Sequence, residues 1–243
     1  MPIKYSDSPI TISYDYLDFI PEKTVCKGKV NLAALSLYGL YRNAVYDSYK
    51  EKPDLAEDIK TRKKEFVEQA LSNTNNELYN DPLYHYSVAA SLGAMQEWKD
   101  PAEKMHAFMA YETVNGVKNR IGFVHFNEKL VDSKPVVYIA QAGVQLRGTG
   151  IGRHLMECVL SHYPADTEFY ILTRVFNSDA KGLYEKRLGF KPIENEEVRA
   201  LGFDDRYCGF KHRTSLEEID AIKTRQIVTQ IDEPTLEASS FMP

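Results

Sequence analysis

The sequence predicts an α/β (α+β) protein with a central mixed, mostly antiparallel sheet flanked by helices. Three observations predict it. After Pro101, three apolar stretches alternate at the period of strands and are separated by short turn signals, the pattern of an antiparallel meander. A glycine-rich loop joins the third stretch to an amphipathic segment, which reads as a helix. Another strand, another helix and a last strand pair follow.

Each element has its own signal. "ITISYDYLDF" (residues 10–19) alternates and reads as a first strand. "NLAALSLYGLYRNAVYDSY" (31–49) sets Leu32, Leu35, Tyr38, Arg42, Val45 and Tyr49 at helical spacing, with Asn31 as N-cap. Pro53 opens a further helical stretch to about Leu71, closed by "SNTNN". Residues 75–100 are turn-rich and aromatic, then mildly helical over 88–98. The meander strands fall at 106–114, 119–131 and 135–144, with Asn115–Gly116 and "DSKP" as the turns. A strand is expected at 168–175, a helix at 178–188, and a strand pair at about 191–194 and 206–213. Ser215 with Glu218 three residues on is a capping box; it starts a C-terminal helix, and Pro234 stops it.

Composition bounds the function. The 243 residues are 43% hydrophobic and 27% charged, with a net charge of −5, which gives no global field for nucleic acid or anionic membrane. "KTRKK" at 60–64 reads as a solvated helix face. Cys26, Cys158 and Cys208 are too few for a disulfide framework, no Cys/His spacing suggests a metal site, and Cys158 reads as a buried thiol. There is no apolar signal core and no run of about 20 apolar residues. The expected compartment is a reducing cytoplasm, with secretion by a signal-free route left open.

The loop in "VQLRGTGIGRHLMECVLSHY" (144–163) carries the chemistry. A dinucleotide fingerprint, G-x-G-x-x-G, needs glycine where Arg153 stands, and a P-loop needs lysine and a hydroxyl that do not follow. What remains is strand, R-G-T-G-I-G, helix. Ile151, Leu155, Cys158, Val159 and His162 recur at helical spacing, so the helix begins inside the loop and its first N–H groups face outward. Bare glycines admit a diphosphate to those donors, and Arg147 and Arg153 add charge. For the loop alone, a tight turn without a ligand is the other reading.

Read as R-x-x-G-x-G on Arg147, Gly150 and Gly152, the loop resembles the acetyl-CoA pyrophosphate loop of GNAT (GCN5-related) N-acetyltransferases. "RVFNSDAKGLYEKRLGFKPI" (174–193) is similar to that family's second signature: strand, Asn, helix with L-Y-E-K, then L-G-F. The close match covers roughly residues 135–193. The resemblance implies the GNAT fold, as a single domain over 9–213 with 31–100 as an enlarged helical acceptor side. Residues 214–243 would then add a helix and a loose tail. It implies acetyl-CoA as donor, no metal, and direct transfer to a primary amine in a ternary complex.

It also implies roles. Arg147, Gly148, Thr149, Gly150, Ile151, Gly152 and Arg153 would hold the pyrophosphate. The splayed strand end Ala142, Gly143 and Val144 would pair with the pantetheine arm, with Val144 N–H as oxyanion donor. Asn177 would bond the arm, and Tyr184 at the L-Y position would act as general acid. Tyr184 also lies on the apolar stripe Ala180, Leu183, Tyr184, Leu188, so core packing explains it as well. No base is assigned: Gln141 is not a carboxylate, and Glu112, Glu128, His106 and His125 read as ordinary strand residues.

The expected acceptor side is aromatic, with Tyr38, Tyr41, Tyr46, Tyr79, Tyr84, Tyr86 and Trp98. Helix packing explains much of this, since Tyr38, Tyr41 and Tyr49 fall at helical spacing, and a tyrosine-lined acceptor groove is the other reading. The acidic balance suits a cationic acceptor. A protein lysine, a peptide N-terminus, a polyamine and other small amines stay open, as do a longer acyl group and a homodimer. The rival readings are a catalytically silent acyl-CoA-binding module and a protein-interaction scaffold.

Overall fold

The computed structural model describes residues 11–17, 25–26, 29–30, 32–49, 83–84, 86–88, 90–91, 94, 104–131, 133–145 and 147–231. In chain order they form β1 (Thr11–Leu17), β2 (Val25–Cys26), β3 (Lys29–Val30), α1 (Leu32–Tyr49), β4 (His106–Val114), β5 (Val117–Val131) and β6 (Lys134–Val144). Then come α2 (Ile151–His162), β7 (Glu168–Arg174), α3 (Ser178–Gly182), β8 (Lys191–Pro192), α4 (Asn195–Ala200), β9 (Tyr207–Arg213) and α5 (Leu216–Ile231). Seven strands form one sheet in the order β1-β4-β5-β6-β7-β9-β8, and β2 pairs with β3 apart from it. This is the expected mixed sheet: β6 and β7 run parallel and every other pairing is antiparallel.

The meander forms because its turns supply the needed backbone. Asn115 and Gly116 have φ of 51° and 77°, the left-handed pair that a two-residue hairpin with right-twisted strands requires. Val114 therefore faces Val117 across the turn. The apolar sides of the strands bury against α2 on one face, where Leu155, Val159 and Leu160 meet Phe126, Ile139, Phe169 and Ile171. On the other face Leu40 of α1 packs with Met109 and Phe123. The C-terminal helix α5 opens with the expected cap, Glu218 N–H donating to Ser215 Oγ at 3.1 Å, and its Ile222 enters the main core.

Three features differ from the sequence expectation. The helix at 178–188 is α3 followed by a π-helical turn over Leu183–Arg187, closed by Leu188 N–H to Leu183 O at 3.1 Å. The wider turn keeps both Tyr184 and Leu188 in the core. Helix α4 buries only Val198, so "NEEVRA" carries no visible apolar period. Helical residues begin by Leu83 rather than Val88. The expectations for Asn31, 53–71, 75–82, Trp98 and Pro234 lie outside the described residues.

Candidate functional site

The site is built where two parallel strands part. Pairing of β6 with β7 ends at Ile139↔Ile171, yet β6 continues to Val144 on β5 and β7 continues to Arg174 on β9. Gln145 N–H bonds Ile121 O at 2.8 Å, which fixes the phase of the β5–β6 ladder. By antiparallel alternation, Gly143 bonds across to Phe123, while Ala142 and Val144 turn their N–H and C=O groups away from β5 and into the gap. Gly143 is there because α1 lies on the strand: a Cβ would sit 2.9 Å from Phe123 Cε1 and 3.1 Å from Ala44 Cβ.

The glycine loop follows. Gly148 and Gly150 have φ of 74° and 84°, and Gly150 is the N-cap of α2, accepting from His154 N–H at 3.0 Å. The turn itself therefore needs these two glycines. Gly152 is different. Its φ is not positive, and an added Cβ would meet only Val144 Cγ1 at 3.6 Å, an ordinary contact. Nothing within the described protein requires glycine at 152. The motif R-x-x-G-x-G does not include Gly148, yet its positive φ makes glycine necessary there for the turn.

The two arginines are held in different ways. Arg147 reaches Asp179 Oδ2 and Ala44 O, each at 3.4 Å, and so ties the loop to α3 and α1. Arg153 donates to Glu157 Oε1 at 3.0 Å, and Glu157, itself buried, also accepts from Arg225 at 2.9 Å. Thr149 is exposed, and Ile151 is buried in the core, so its outward group is its backbone N–H.

Asn177 caps α3, accepting from Ala180 N–H at 3.4 Å while its amide donates to Thr173 Oγ1 at 3.1 Å. Tyr184 packs edge-on to Phe210 with ring centroids 5.7 Å apart, and it also lines the cavity. Burial, with the Cys208 thiol adding to it, pushes the phenol well above its ordinary range and keeps it protonated. Tyr184 is thus a core residue and a cavity residue together.

That cavity, about 770 Å³, runs from the glycine loop through the gap to an aromatic wall. Its size is that of a small-molecule or cofactor site. Of the expected aromatic residues, Tyr41 and Tyr86 line it, along with Tyr49 of α1. Tyr84 instead holds Arg42 at 3.3 Å, and Tyr46 packs against the cluster of Val45, Leu83 and Tyr86. Tyr79, Trp98 and the side chain of Tyr38 lie outside the described residues. Sequence reasoning missed Tyr138, Arg174, Phe203 and Tyr207, which also line it. The signal for Arg174 was there, since it is in phase with Tyr170 and Leu172 along β7 and out of phase with the core residue Ile171.

None of Glu112, Glu128, His106 and His125 lines the cavity. His125 is fully buried 3.5 Å from Gln141 Oε1, and burial lowers its pKa to about 3, so it stays neutral. His106 meets Tyr16 Oη at 2.9 Å. Among the described residues no group of three or more His, Cys, Asp or Glu side chains could hold a metal ion, and no helix is long and apolar enough to cross a membrane.

A model of the acetyltransferase (GNAT) family matches residues 65–190. No curated protein matches. Among solved structures, the chain is similar to PaiA N-acetyltransferase from Thermoplasma acidophilum in complex with coenzyme A, at 12% identity and a TM-score of 0.44, over 83% of this chain and 99% of that one. It is also similar to Arabidopsis thaliana Naa50 in complex with the bisubstrate analogue CoA-Ac-MVNAL (22%, TM-score 0.32, 64% and 93%). A third is ribosomal-protein-alanine N-acetyltransferase from Brucella melitensis biovar Abortus 2308 (18%, TM-score 0.34, 73% and 91%).

Proposed function

The chain belongs to the acetyltransferase (GNAT) family, and from that premise we propose that it is an acetyl-CoA-dependent N-acetyltransferase that acts by direct transfer to a primary amine. Acetyl-CoA would supply the thioester whose carbonyl carbon is attacked. The observation that carries this reading is Gly152. The fold has room for a side chain there, and the glycine leaves that room to a ligand lying on the N–H groups of α2. A diphosphate fits the position, with Arg147 and Arg153 beside it.

The remaining roles follow from the parted strands. Ala142 and Val144 direct backbone groups into the gap, where an extended amide-bearing arm can pair with them as an added strand would. Val144 N–H is the oxyanion donor in this reading, because a preorganised amide opposes developing negative charge without reorganising. Asn177 is left to position the arm and to cap α3. Tyr184, held protonated by burial, donates its proton to the departing thiolate. The amine enters from the tyrosine wall, on the opposite side of the sheet from the loop. We take residues 9–213 as the domain, with α5 of the 214–243 segment packed on it through Ile222 and Arg225.

Acetyl-CoA-dependent thiol release across peptide, amino-acid, polyamine and small-amine acceptors tests this. Release that requires one acceptor class is the expected outcome. Binding of acetyl-CoA with no release for any amine would instead make the protein a silent acyl-CoA-binding module.

A further inference from the structure

A chain of charged groups leaves the glycine loop along α2 and ends on the C-terminal helix. Arg153, the third residue of α2, and Glu157 lie one helical turn apart on the same side. Arg153 commits only its Nε to the Glu157 carboxylate, at 3.0 Å. Among the described residues its two terminal nitrogens have no protein partner. The side chain lines the cavity and is 44% exposed, so that end of the guanidinium is open to a ligand.

Glu157 is the unusual member. It is buried, between the core residue Met156 and the buried Cys158. A carboxylate is kept in such surroundings only with charged or hydrogen-bonding partners. The second partner comes from α5, where Arg225 donates through Nη2 to the same Glu157 Oε1 at 2.9 Å. The helix that carries Arg225 is fixed on α2. Gln226 donates to Cys158 Sγ at 3.5 Å, and Ile222, three residues earlier, enters the main core.

Sharing the carboxylate sets how much charge Arg153 can offer. Alone with Glu157, the Arg153 charge would be neutralised and its guanidinium held against α2. With Arg225 present, two guanidinia face one carboxylate, and the excess positive charge falls at the loop. An anion at the loop then meets a carboxylate whose charge is already matched. Helix α5 begins at Leu216, beyond the residues 65–190 that match the family model, so the family match assigns it no role.

Resting on the acetyltransferase reading, we propose that Arg225 of α5 is a positioning residue for the coenzyme, which neutralises Glu157 and so leaves the Arg153 fork to the diphosphate. The C-terminal helix is then part of the donor half of the site. It acts on coenzyme affinity and not on the chemical step.

The test compares two acetyl donors on the full chain: acetyl-CoA, and S-acetylpantetheine, which keeps the thioester and the arm but has no diphosphate. Arg225→Gln should raise Kd and KM for acetyl-CoA by roughly fivefold. It should leave kcat at saturation, KM for the amine and kcat/KM for S-acetylpantetheine unchanged. Arg225→Lys should recover most of the loss, because the charge returns. In a Glu157→Gln background Arg225→Gln should have no further effect on acetyl-CoA affinity. A loss that persists in that background would mean that Arg225 acts on the coenzyme without Glu157, and would overturn the proposal. Equal losses with both donors, or a lower Tm with unchanged acetyl-CoA affinity, would make Arg225 structural. Where Arg225→Gln fails to fold, Arg153→Gln decides: it should show the same loss for acetyl-CoA alone, and parental affinity would leave Arg225 nothing to position. Any of these failures leaves the acetyltransferase intact. No binding of acetyl-CoA by the unmodified protein would overturn both.

Discussion

At Gly152 the fold leaves space that the protein does not use, and this separates two roles that a glycine-rich loop confounds. Replacing Gly152 with Ala, inside a helix and with no steric conflict, should hold or raise the stability of the free protein by up to about 1 kcal/mol. The same change should weaken acetyl-CoA binding by roughly tenfold or more, about 1.4 kcal/mol. Gly150→Ala should behave differently, because φ of 84° costs a Cβ about 1–2 kcal/mol of stability even without ligand. Unfolding and titration of the two variants check the contrast; equal affinities for Gly152→Ala and the parent would remove the ligand from the loop. Tyr184→Phe keeps the packing on Phe210 and removes only the hydroxyl. Turnover should fall by roughly 10²-fold with little change in coenzyme affinity. If coenzyme affinity falls in step, the residue acts through packing. Both residues were singled out through the resemblance of their motifs to the GNAT family; spacing alone would have placed Tyr184 in the core. Arg174 was not recognised, because a strand-end arginine looks like a surface residue until the partner strands part.

Elements were legible where one period or one cap dominates. The meander, α2 and α5 follow directly from alternation, from the 151–162 apolar stripe and from the Ser215–Glu218 pair. Ser215→Ala should cost about 1 kcal/mol, measured by denaturant unfolding; no loss would mean that α5 is held by Ile222 and Arg225 alone. The short α4 and the π-helical turn were not legible. Five or six residues contain too little period to read, and a π turn is set by tertiary demand at Tyr184 and Leu188 rather than by propensity. Gly209 shows how tightly that region is packed on β9, since a Cβ there would sit 2.6 Å from Ile193 Cδ1. Gly209→Ala should therefore destabilise by roughly 1–3 kcal/mol.

At the scale of the molecule, the fold class and the meander followed from the sequence. The placing of β1 beside β4 and of β9 between β7 and β8 did not follow, and the parting of β6 from β7 came only with the family resemblance. That gap depends on where pairing stops, and residues at 140–144 and 172–174 read as strand on either side of it. The whole molecule also carries an acid sensitivity in His125. Its folded pKa of about 3 lies below the ordinary 6.5, so the unfolded chain binds the proton first as pH falls. The contribution is fully present above about pH 6.5 and is lost progressively toward pH 3, by up to about 1.4 kcal/mol per pH unit. His125→Gln should flatten that part of the stability profile, and an unchanged slope would assign the acid loss to other groups. The most direct measurement of the central claim is thermal unfolding of the full chain with and without acetyl-CoA. At a hundred times the dissociation constant, coenzyme should stabilise the protein by about 2.7 kcal/mol, seen as a clear rise in Tm. Folded protein whose Tm stays the same at millimolar acetyl-CoA would contradict it.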